Sequence, residues 1–215
     1  MAFVHISSSS ILFLALWNYR QDAAHGVPAR YVRSLQPPEV WTSSGLVKDL
    51  SLGGPVEGLL KVVYGRRVQV SVVINGSLWP YEACLKPKSV SLDGATATEC
   101  VPPFALIMVD PDAPTVNAAT ERSRVLWMVI NAKSATELHK GEQVMQYESP
   151  TPPPGTGTHR FVFLVYCQRG KTLNGADVKA AKRTNFDVKD FEKKLGVMMP
   201  IGGTFFYAKS PRNQK

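Results

Sequence analysis

The sequence has no apolar run long enough to cross a bilayer as a helix. The run near the N-terminus, residues 11–17, is far shorter than the roughly 20 residues that a spanning helix needs. Long runs of one charge and internal repeats are also absent from the sequence, which argues against a disordered tail and a solenoid. The 215 residues instead suit one globular domain with a sizeable core.

Cysteine and histidine are both scarce, with three and four residues respectively. Their spacing fits no zinc site, so we expect neither a metal nor another cofactor. Three cysteines permit one disulfide, and we predict a bridge between Cys84 and Cys100, which flank a short strand-like segment at residues 88–92 and its turn. Cys167 ends an apolar segment, where a free cysteine usually behaves as a small buried hydrophobe.

The short apolar run near the N-terminus predicts a secretory signal peptide. Small residues near positions 24–26 place the cleavage site there, so that residues 1–26 would be the signal and residues 27–215 the mature domain. We therefore expect a secreted, extracellular protein. A competing interpretation is an organellar presequence, because the first 19 residues are rich in serine and contain no acidic side chain.

Asn75 begins the sequon Asn75-Gly76-Ser77, which predicts N-glycosylation if the chain enters the secretory route. The same Asn-Gly pair between two β-patterned segments is also typical of a type I′ hairpin turn. The two interpretations are compatible, because a hairpin tip is exposed to solvent.

The formal net charge is +8, which favours anionic partners. Aromatic residues do not alternate with basic ones as they would on a stacking platform, so we do not expect nucleic acid as a partner. The partners of suitable charge are a phospholipid headgroup or another small phosphorylated ligand. Peripheral contact with a membrane also remains open.

Short apolar segments, partly β-branched, recur along the chain and predict strands. They cover residues 59–64, 67–74, 104–109, 124–131, 161–166 and 204–208. One helix is predicted at residues 187–195, with Gly196 as its C-terminal cap, and a short one near residues 38–41. This pattern predicts a mainly β fold, a Greek-key-like β-sandwich of two sheets with a few short peripheral helices.

A polar turn, Asp110-Pro111-Asp112-Ala113-Pro114, directly follows the apolar segment at residues 104–109. An ionised carboxylate at the end of a buried strand must meet donors or a cation, or it takes up a proton. Pro111 and Pro114 have a structural role, because their fixed backbone angles stiffen the turn that carries Asp110 and Asp112.

A second polar turn, residues 155–160 (Gly-Thr-Gly-Thr-His-Arg), precedes the apolar segment at residues 161–166. If the two turns meet, Asp110 would raise the pKa of the His159 imidazole, and the imidazolium would donate to a phosphate oxygen. Backbone N–H groups at Gly155 and Gly157 would approach the same oxygens.

Alternation along a strand points Arg160 away from His159, so we expect Arg160 to pair structurally with a carboxylate such as Asp112. A purely structural interpretation is also open for His159 and Asp110, since a hydrogen bond between them would close the end of the sheet.

The two turns together resemble the signatures of the phosphatidylethanolamine-binding proteins, an Asp-Pro-Asp-x-Pro turn and a Gly-x-His-Arg turn. The resemblance extends from about residue 56 to about residue 208 and includes the proline-rich residues 150–154. It implies a β-sandwich with a small anion-accepting cavity. The candidate ligand-binding residues are Asp110, Asp112, Leu126, Pro153, Gly155, Gly157, His159 and Phe161.

Leu126 and Phe161 stand where the family commonly has a histidine and a tyrosine. Strand alternation places Leu126 on one face with Met128 and Ile130. The pocket would lose a cation and gain an apolar wall, and a lost charge-assisted hydrogen bond of about 1.5–3 kcal/mol weakens phosphate binding roughly tenfold or more.

We expect no enzyme activity, because the sequence presents no nucleophile on a strained turn, and Thr156 and Thr158 are interpreted as turn residues. Two main functions and one lesser alternative remain. The first is a secreted binding protein with an anion pocket for a phospholipid headgroup or a similar phosphorylated ligand. The second, which the resemblance also implies, is an interaction module that inhibits or regulates a protease or kinase. A structural subunit of an organellar assembly is a third alternative.

Overall fold

The computed structural model describes residues 38–65 and 69–209, with only the backbone for Gly94 and Ala95. The predicted signal peptide at residues 1–26 and the start of the strand predicted at residue 67 lie outside the described residues. Nine strands are present in this part of the chain: β1 (Gly58–Tyr64), β2 (Val70–Ser71), β3 (Gly76–Ser77), β4 (Ser89–Leu92), β5 (Phe104–Asp110), β6 (Arg124–Ala132), β7 (Glu142–Met145), β8 (Thr158–Cys167) and β9 (Gly202–Lys209).

The helices are few and short, so the mainly β prediction is confirmed. The described residues contain α1 (Glu39–Ser43), α2 (Leu46–Asp49), α3 (Gly94–Ala97), α4 (Gly175–Val178) and α5 (Val188–Leu195), together with 3₁₀ turns at Pro80–Ala83, Val116–Ala118 and Leu138–Lys140. The best predicted helix is confirmed with its predicted cap at Gly196, and Asp187 precedes it as an N-cap. The Asp187 side chain accepts from two backbone N–H groups at its start, and Gly196 ends it in the left-handed conformation. No helix among the described residues has the length and apolar character needed to span a bilayer.

The strands form a mixed sheet in the order β2-β1-β9-β8-β5-β6-β7, with β4 also paired to β1 and β3 to β9. The longest ladders, β6-β5-β8-β9, are antiparallel and make one large sheet, whereas β4, β1 and β2 form a smaller antiparallel one. The two are joined where Gly58 and Leu59 pair in parallel with the start of β9.

The large sheet is buried on both faces, which explains why β5 and β8 read as continuous apolar segments. Leu106 and Met108 of β5 pack with Leu60 and Val62 of β1 in an inner core between the two sheets. The alternate residues pack in a helix-side core with Trp41 and Phe191. The sandwich therefore has a layer of short helices on its outer side.

Leu126 does not share a face with Met128 and Ile130, so the expected strict alternation is wrong at this point. The register between β5 and β6 shifts between Met108 and Val109, which inserts a bulge at Leu126. Leu126 consequently faces the inner core, whereas Met128 and Ile130 face the helix-side core.

The predicted Cys84–Cys100 bridge is also wrong. Cys100 is bonded to Cys167, with the two Cα atoms 5.8 Å apart, and Cys84 is free and exposed. The sheet register explains the pairing, because Cys167 at the end of β8 lies opposite Phe104, the first residue of β5. Cys100 precedes that residue by only four positions and therefore lies within reach of Cys167.

The turn at Asn75 is exposed but does not join a hairpin. β2 before it pairs with β1, whereas β3 after it runs parallel to β9. Asn75 has a positive φ of 60°, and a Cβ on Gly76 would lie 2.8 Å from the carbonyl oxygen of Val73, so the turn requires glycine there. Asn75 remains sterically accessible as the predicted glycosylation site.

Candidate functional site

The two polar turns meet at one end of the large sheet, as the sequence predicts. β5 and β8 are antiparallel neighbours, so the end of β5 at Asp110 lies beside the start of β8 at His159. The Nδ1 atom of His159 is 2.8 Å from the Oδ2 atom of Asp110. The other carboxylate oxygen of Asp110 accepts from the backbone N–H of Asp112 at 2.8 Å. The turn thus holds the carboxylate while the carboxylate holds the ring.

A third residue, Thr156, completes the arrangement. Its Oγ1 atom lies 3.0 Å from Nε2 of His159 and 2.7 Å from the carbonyl oxygen of Pro153. A carbonyl only accepts, so the single hydroxyl proton of Thr156 is donated to Pro153. The hydroxyl oxygen must therefore accept from His159, and Nε2 carries a proton.

The geometry favours a doubly protonated ring. Burial lowers the pKa of His159, but the hydrogen bond that the ring donates to Asp110 and the charges of Asp110 and Asp112 outweigh it and raise the pKa above its ordinary value. The imidazolium donates to Asp110 from one nitrogen and to Thr156 from the other. It is a fixed cation with a donor directed at the turn of residues 153–157.

The order Asp110, His159, Thr156 has the connectivity of a catalytic triad but the wrong direction of proton donation. In a triad the hydroxyl donates to the imidazole, which then removes its proton. Here the Thr156 proton is directed at the Pro153 carbonyl, and the ring nitrogen that faces the hydroxyl already bears hydrogen. This arrangement does not activate Thr156 as a nucleophile.

The His159 side chain is completely buried and the Asp110 side chain is only 7% exposed, so the pocket is closed at the ring. Thr156 occupies the position from which a ligand oxygen would accept from Nε2. An anion can therefore bind at Nε2 only if it displaces the Thr156 hydroxyl. The Nε2–H group of His159 would then be free to donate to the anion.

Arg160 points to the opposite side of the strand, as predicted, and its guanidinium bonds Asp112. Nε and Nη2 of Arg160 donate to the two carboxylate oxygens, and the backbone N–H adds a third bond at 2.8 Å. Asp112 is only 1% exposed and both its oxygens are occupied, so the geometry gives it a structural role. Its predicted contact with a ligand has no support among these bonds.

The Arg160 guanidinium also fixes the first two helices. Its Nη2 atom lies 2.7 Å from Oδ2 of Asp49 in α2, and Nη1 donates to the carbonyl of Ser44 at 2.6 Å. Arg122 bonds the other oxygen of Asp49 and the carbonyl of Pro111, both at 2.7 Å. Sequence reasoning missed Asp49 because nothing in its local pattern distinguishes it from a solvated surface acid.

The remaining candidate ligand-binding residues fall into two groups. One group lies in an exposed turn, and the other forms a buried apolar wall. Pro153, Gly155 and Gly157 lie in the exposed turn, and both glycines have positive φ, of 81° and 96°. The Phe161 ring stacks on His159 with centroids 6.3 Å apart, and Leu126 packs in the same inner core. Thr156 was the residue missed here. Its signal was its position three residues before His159 on a glycine turn, a spacing that brings i and i+3 together.

The described residues contain no cluster of three or more His, Cys, Asp or Glu side chains arranged to hold a metal ion. A cavity of about 300 Å³ lies beside Asp49, Arg122 and Asn185, on the Arg160 side of the sheet. It does not include His159.

Comparison with known proteins gives relatives in plants. The chain is 32% identical over 113 residues to the rice (Oryza sativa subsp. japonica) "Protein MOTHER of FT and TFL1 homolog 2", which covers 52% of this chain and 64% of that protein. It is 31% identical over 150 residues to the tobacco (Nicotiana tabacum) "CEN-like protein 1", covering 66% of this chain and 80% of the relative. The chain therefore spans less than two thirds of the rice relative's length.

Among solved structures, the fold is similar to that of the carboxypeptidase Y inhibitor, determined in complex with its cognate proteinase. The TM-score is 0.67 at 22% sequence identity, over 86% of this chain and 98% of the inhibitor. The family model described as phosphatidylethanolamine-binding protein matches residues 87–203, which contain both polar turns. The chain belongs to the phosphatidylethanolamine-binding protein family.

Proposed function

We propose that this protein is a non-enzymatic binding module that accepts a phospholipid headgroup or a similar small phosphate ester at Nε2 of His159. The observation that carries the proposal is the buried His159 ring held between Asp110 and Thr156, an arrangement that raises its pKa. A phosphate oxygen that replaced the Thr156 hydroxyl would receive a charge-assisted hydrogen bond from a cation already fixed in place.

The walls of the site suit a weakly held ligand. Phe161 and Leu126 supply apolar surface and no donors, so among these three side chains only His159 can donate to an anion. The backbone of Gly155 and Gly157 belongs to the exposed turn that must move for a ligand to enter. We therefore expect a small anion to bind with modest affinity. If the anion carries an apolar group, that group should add contact with the Phe161 side chain.

The direct test is a titration of the His159 ring resonances with phosphoethanolamine and with inorganic phosphate. The wild-type ring should shift in a saturable manner. Thr156→Ala should bind about tenfold or more tightly, because the ligand no longer competes with a hydrogen bond made by a charged group, worth about 1.5–3 kcal/mol.

Thr158→Ala is the matched control, since Thr158 is exposed at the start of β8 and the two ring nitrogens of His159 bond Asp110 and Thr156 instead. It should bind as the wild type does. An unmoved His159 resonance at millimolar ligand in both the wild type and Thr156→Ala would reject headgroup binding at this site.

Absence of catalysis is part of the proposal, and the direction of the Thr156 proton supports it. Incubation with ester and peptide substrates should give no turnover that depends on His159. Hydrolysis that is lost in both Thr156→Ala and His159→Gln would contradict this proposal.

A second candidate is protein recognition by the proline-rich residues 150–154, as in a protease inhibitor. The specific observation is that Pro153 and Pro154 are exposed, while the Pro153 carbonyl is linked to the buried His159 ring through the Thr156 hydroxyl. Assays against serine proteases and serine carboxypeptidases, with the wild type and with Pro153→Ala, would test it. Inhibition that the variant loses would support this candidate, and its absence across the panel would reject it.

The proposal includes a secreted location. The Cys100–Cys167 disulfide suits an oxidising compartment, and the sequon residue Asn75 is exposed. Intact mass of the protein from its native source should show loss of residues 1–26 and a glycan that disappears in Asn75→Gln. A native protein that retains residues 1–26 would instead favour the organellar alternative.

A further inference from the structure

Three large apolar side chains are exposed in one short segment, residues 79–85. Trp79 is 60% exposed, Tyr81 70% and Leu85 51%, although most large aromatic side chains of the described residues are buried. The Trp79 and Tyr81 rings stack with centroids 6.5 Å apart and planes 12° from parallel. We call Trp79, Tyr81 and Leu85 the Trp79 patch.

The Trp79 patch is presented on a rigid support. Residues Pro80–Ala83 form a 3₁₀ turn, and the Glu82 side chain accepts from the Trp79 backbone N–H at 2.8 Å. Ala83 is fully buried and its carbonyl accepts from the Tyr147 hydroxyl at 2.7 Å. The segment is therefore anchored in the inner core, and the exposure of its rings is a feature of the fold.

Positive charge borders the Trp79 patch. A concavity of about 480 Å³ beside it is lined by Gly65, Leu85, Lys86 and Lys88, and both lysines are exposed. The acid within the segment, Glu82, is bonded to the backbone of the turn. The surface thus combines tryptophan, tyrosine and leucine with two solvated ammonium groups.

We propose that the Trp79 patch docks on an anionic lipid surface. Tryptophan and tyrosine are enriched where an apolar phase meets water, because one end of each ring system is apolar and the other forms hydrogen bonds. Lysines near an anionic bilayer are attracted to it, whereas lysine is depleted from protein–protein interfaces. The pairing of these residue types fits a bilayer better than a protein partner.

This inference goes beyond the proposed function, because none of its residues contacts His159 or Asp110. The patch and the ring nevertheless border the same inner core. Tyr147, which holds the turn, contacts Tyr64, and Tyr64 contacts Phe206, which stacks on Phe161 beside His159. Failure of headgroup binding at His159 would leave the docking surface untouched, so the two tests are distinguishable.

The test is co-sedimentation of the full chain with vesicles of phosphatidylcholine alone or phosphatidylcholine mixed with phosphatidylserine. The wild type should bind the mixed vesicles more tightly, and added salt should weaken that binding. Lys86→Gln with Lys88→Gln should weaken it about thirtyfold, because each lysine near an anionic surface contributes about 1 kcal/mol. Trp79→Ala with Tyr81→Ala should weaken binding to both kinds of vesicle by roughly tenfold or more, since affinity scales with the apolar area buried.

The matched control is Val101→Ala with Met198→Ala, which removes exposed apolar side chains elsewhere on the surface. It should bind as the wild type does. Quenching of tryptophan fluorescence by brominated lipid adds a local readout, and it should be stronger in the wild type than in Trp79→Phe.

Several outcomes would overturn the proposal. They are no binding to the mixed vesicles, an equal loss in the control variant, and quenching that Trp79→Phe leaves unchanged. Binding of a protein partner that depends on Trp79, without any vesicle binding, would assign the patch to protein recognition and would also overturn it.

Discussion

At the scale of single residues, the chemistry of the site depends on where one hydroxyl proton is directed. Thr156 donates to Pro153 and accepts from His159, so a carboxylate, an imidazole and a hydroxyl connected as in a catalytic triad instead hold a cation. The buried imidazolium is stabilised by Asp110, whose other oxygen is held by the turn. Charge that is buried and paired in this way makes stability depend on pH.

The first prediction concerns that dependence. The folded-state pKa of His159 is raised above the unfolded value of about 6.5, so its contribution is complete below about pH 6.5 and is lost as the pH rises through the folded-state pKa. As the pH rises from the unfolded-state pKa to the folded-state pKa of His159, the free energy of unfolding of the wild type should therefore fall. In His159→Gln this part of the slope should disappear, as measured by urea unfolding at a series of pH values.

Equal pH slopes in the wild type and His159→Gln would show that folding does not raise the pKa of His159. Titrating groups that do not contact His159 are present in both proteins, so their contributions cancel in the difference.

At the scale of elements, the ion-pair network of Arg160 joins three separate pieces of chain. It links the start of β8, the Asp-Pro-Asp turn at Asp112 and the helix α2 at Asp49. Asp112 is 1% exposed and depends on Arg160, whereas Asp49 is partly exposed and also pairs with Arg122. The two acids should therefore respond differently to removal of a partner.

The second prediction compares these positions. Arg160→Gln should cost about 3–5 kcal/mol of unfolding free energy, because it leaves the Asp112 carboxylate buried without its cation. Asp49→Asn should cost about 1 kcal/mol, since Arg160 keeps its bonds to Asp112 and the lost ion pairs are partly solvated. Chemical denaturation of both variants measures the difference. Equal losses would mean that the network acts through Asp49 and the helices.

At the scale of the whole molecule, the large sheet is packed on both faces and the disulfide fastens one of its ends. Cys100 precedes β5 and Cys167 ends β8, and 67 positions separate them in sequence. In the chain-entropy view, closing a loop of this length restricts the unfolded ensemble by an amount that grows with the logarithm of its size.

The third prediction follows from that loop. Replacing Cys100 and Cys167 together by serine should lower the unfolding free energy by about 4 kcal/mol. Cys84→Ser is the matched control and should change stability little, because Cys84 is free and exposed. The double variant removes Cys100 and so abolishes either bridge, which makes Cys84→Ser the discriminating variant. A loss in Cys84→Ser as large as that in the double variant would restore the pairing predicted from the sequence.

The sequence by itself determined those features that depend on near neighbours along the chain. The continuous apolar segments specify β5 and β8, and the spacing of Val188, Phe191 and Leu195 specifies helix α5 together with its glycine cap. The opposite directions of His159 and Arg160 follow from strand alternation. The two polar turns identified the family and predicted that Asp110 and His159 would lie side by side.

Only the tertiary structure decided the features that depend on register between strands distant in sequence. The match of Cys167 with the start of β5 selected the disulfide, and a bulge against β5 turned Leu126 to the inner core. The fold of the turn brought Thr156 onto His159 and closed the pocket. The physical reason is that local patterns set which segments form strands and how their side chains alternate. The alignment of separate strands sets where a bulge interrupts that alternation and which partner each side chain meets.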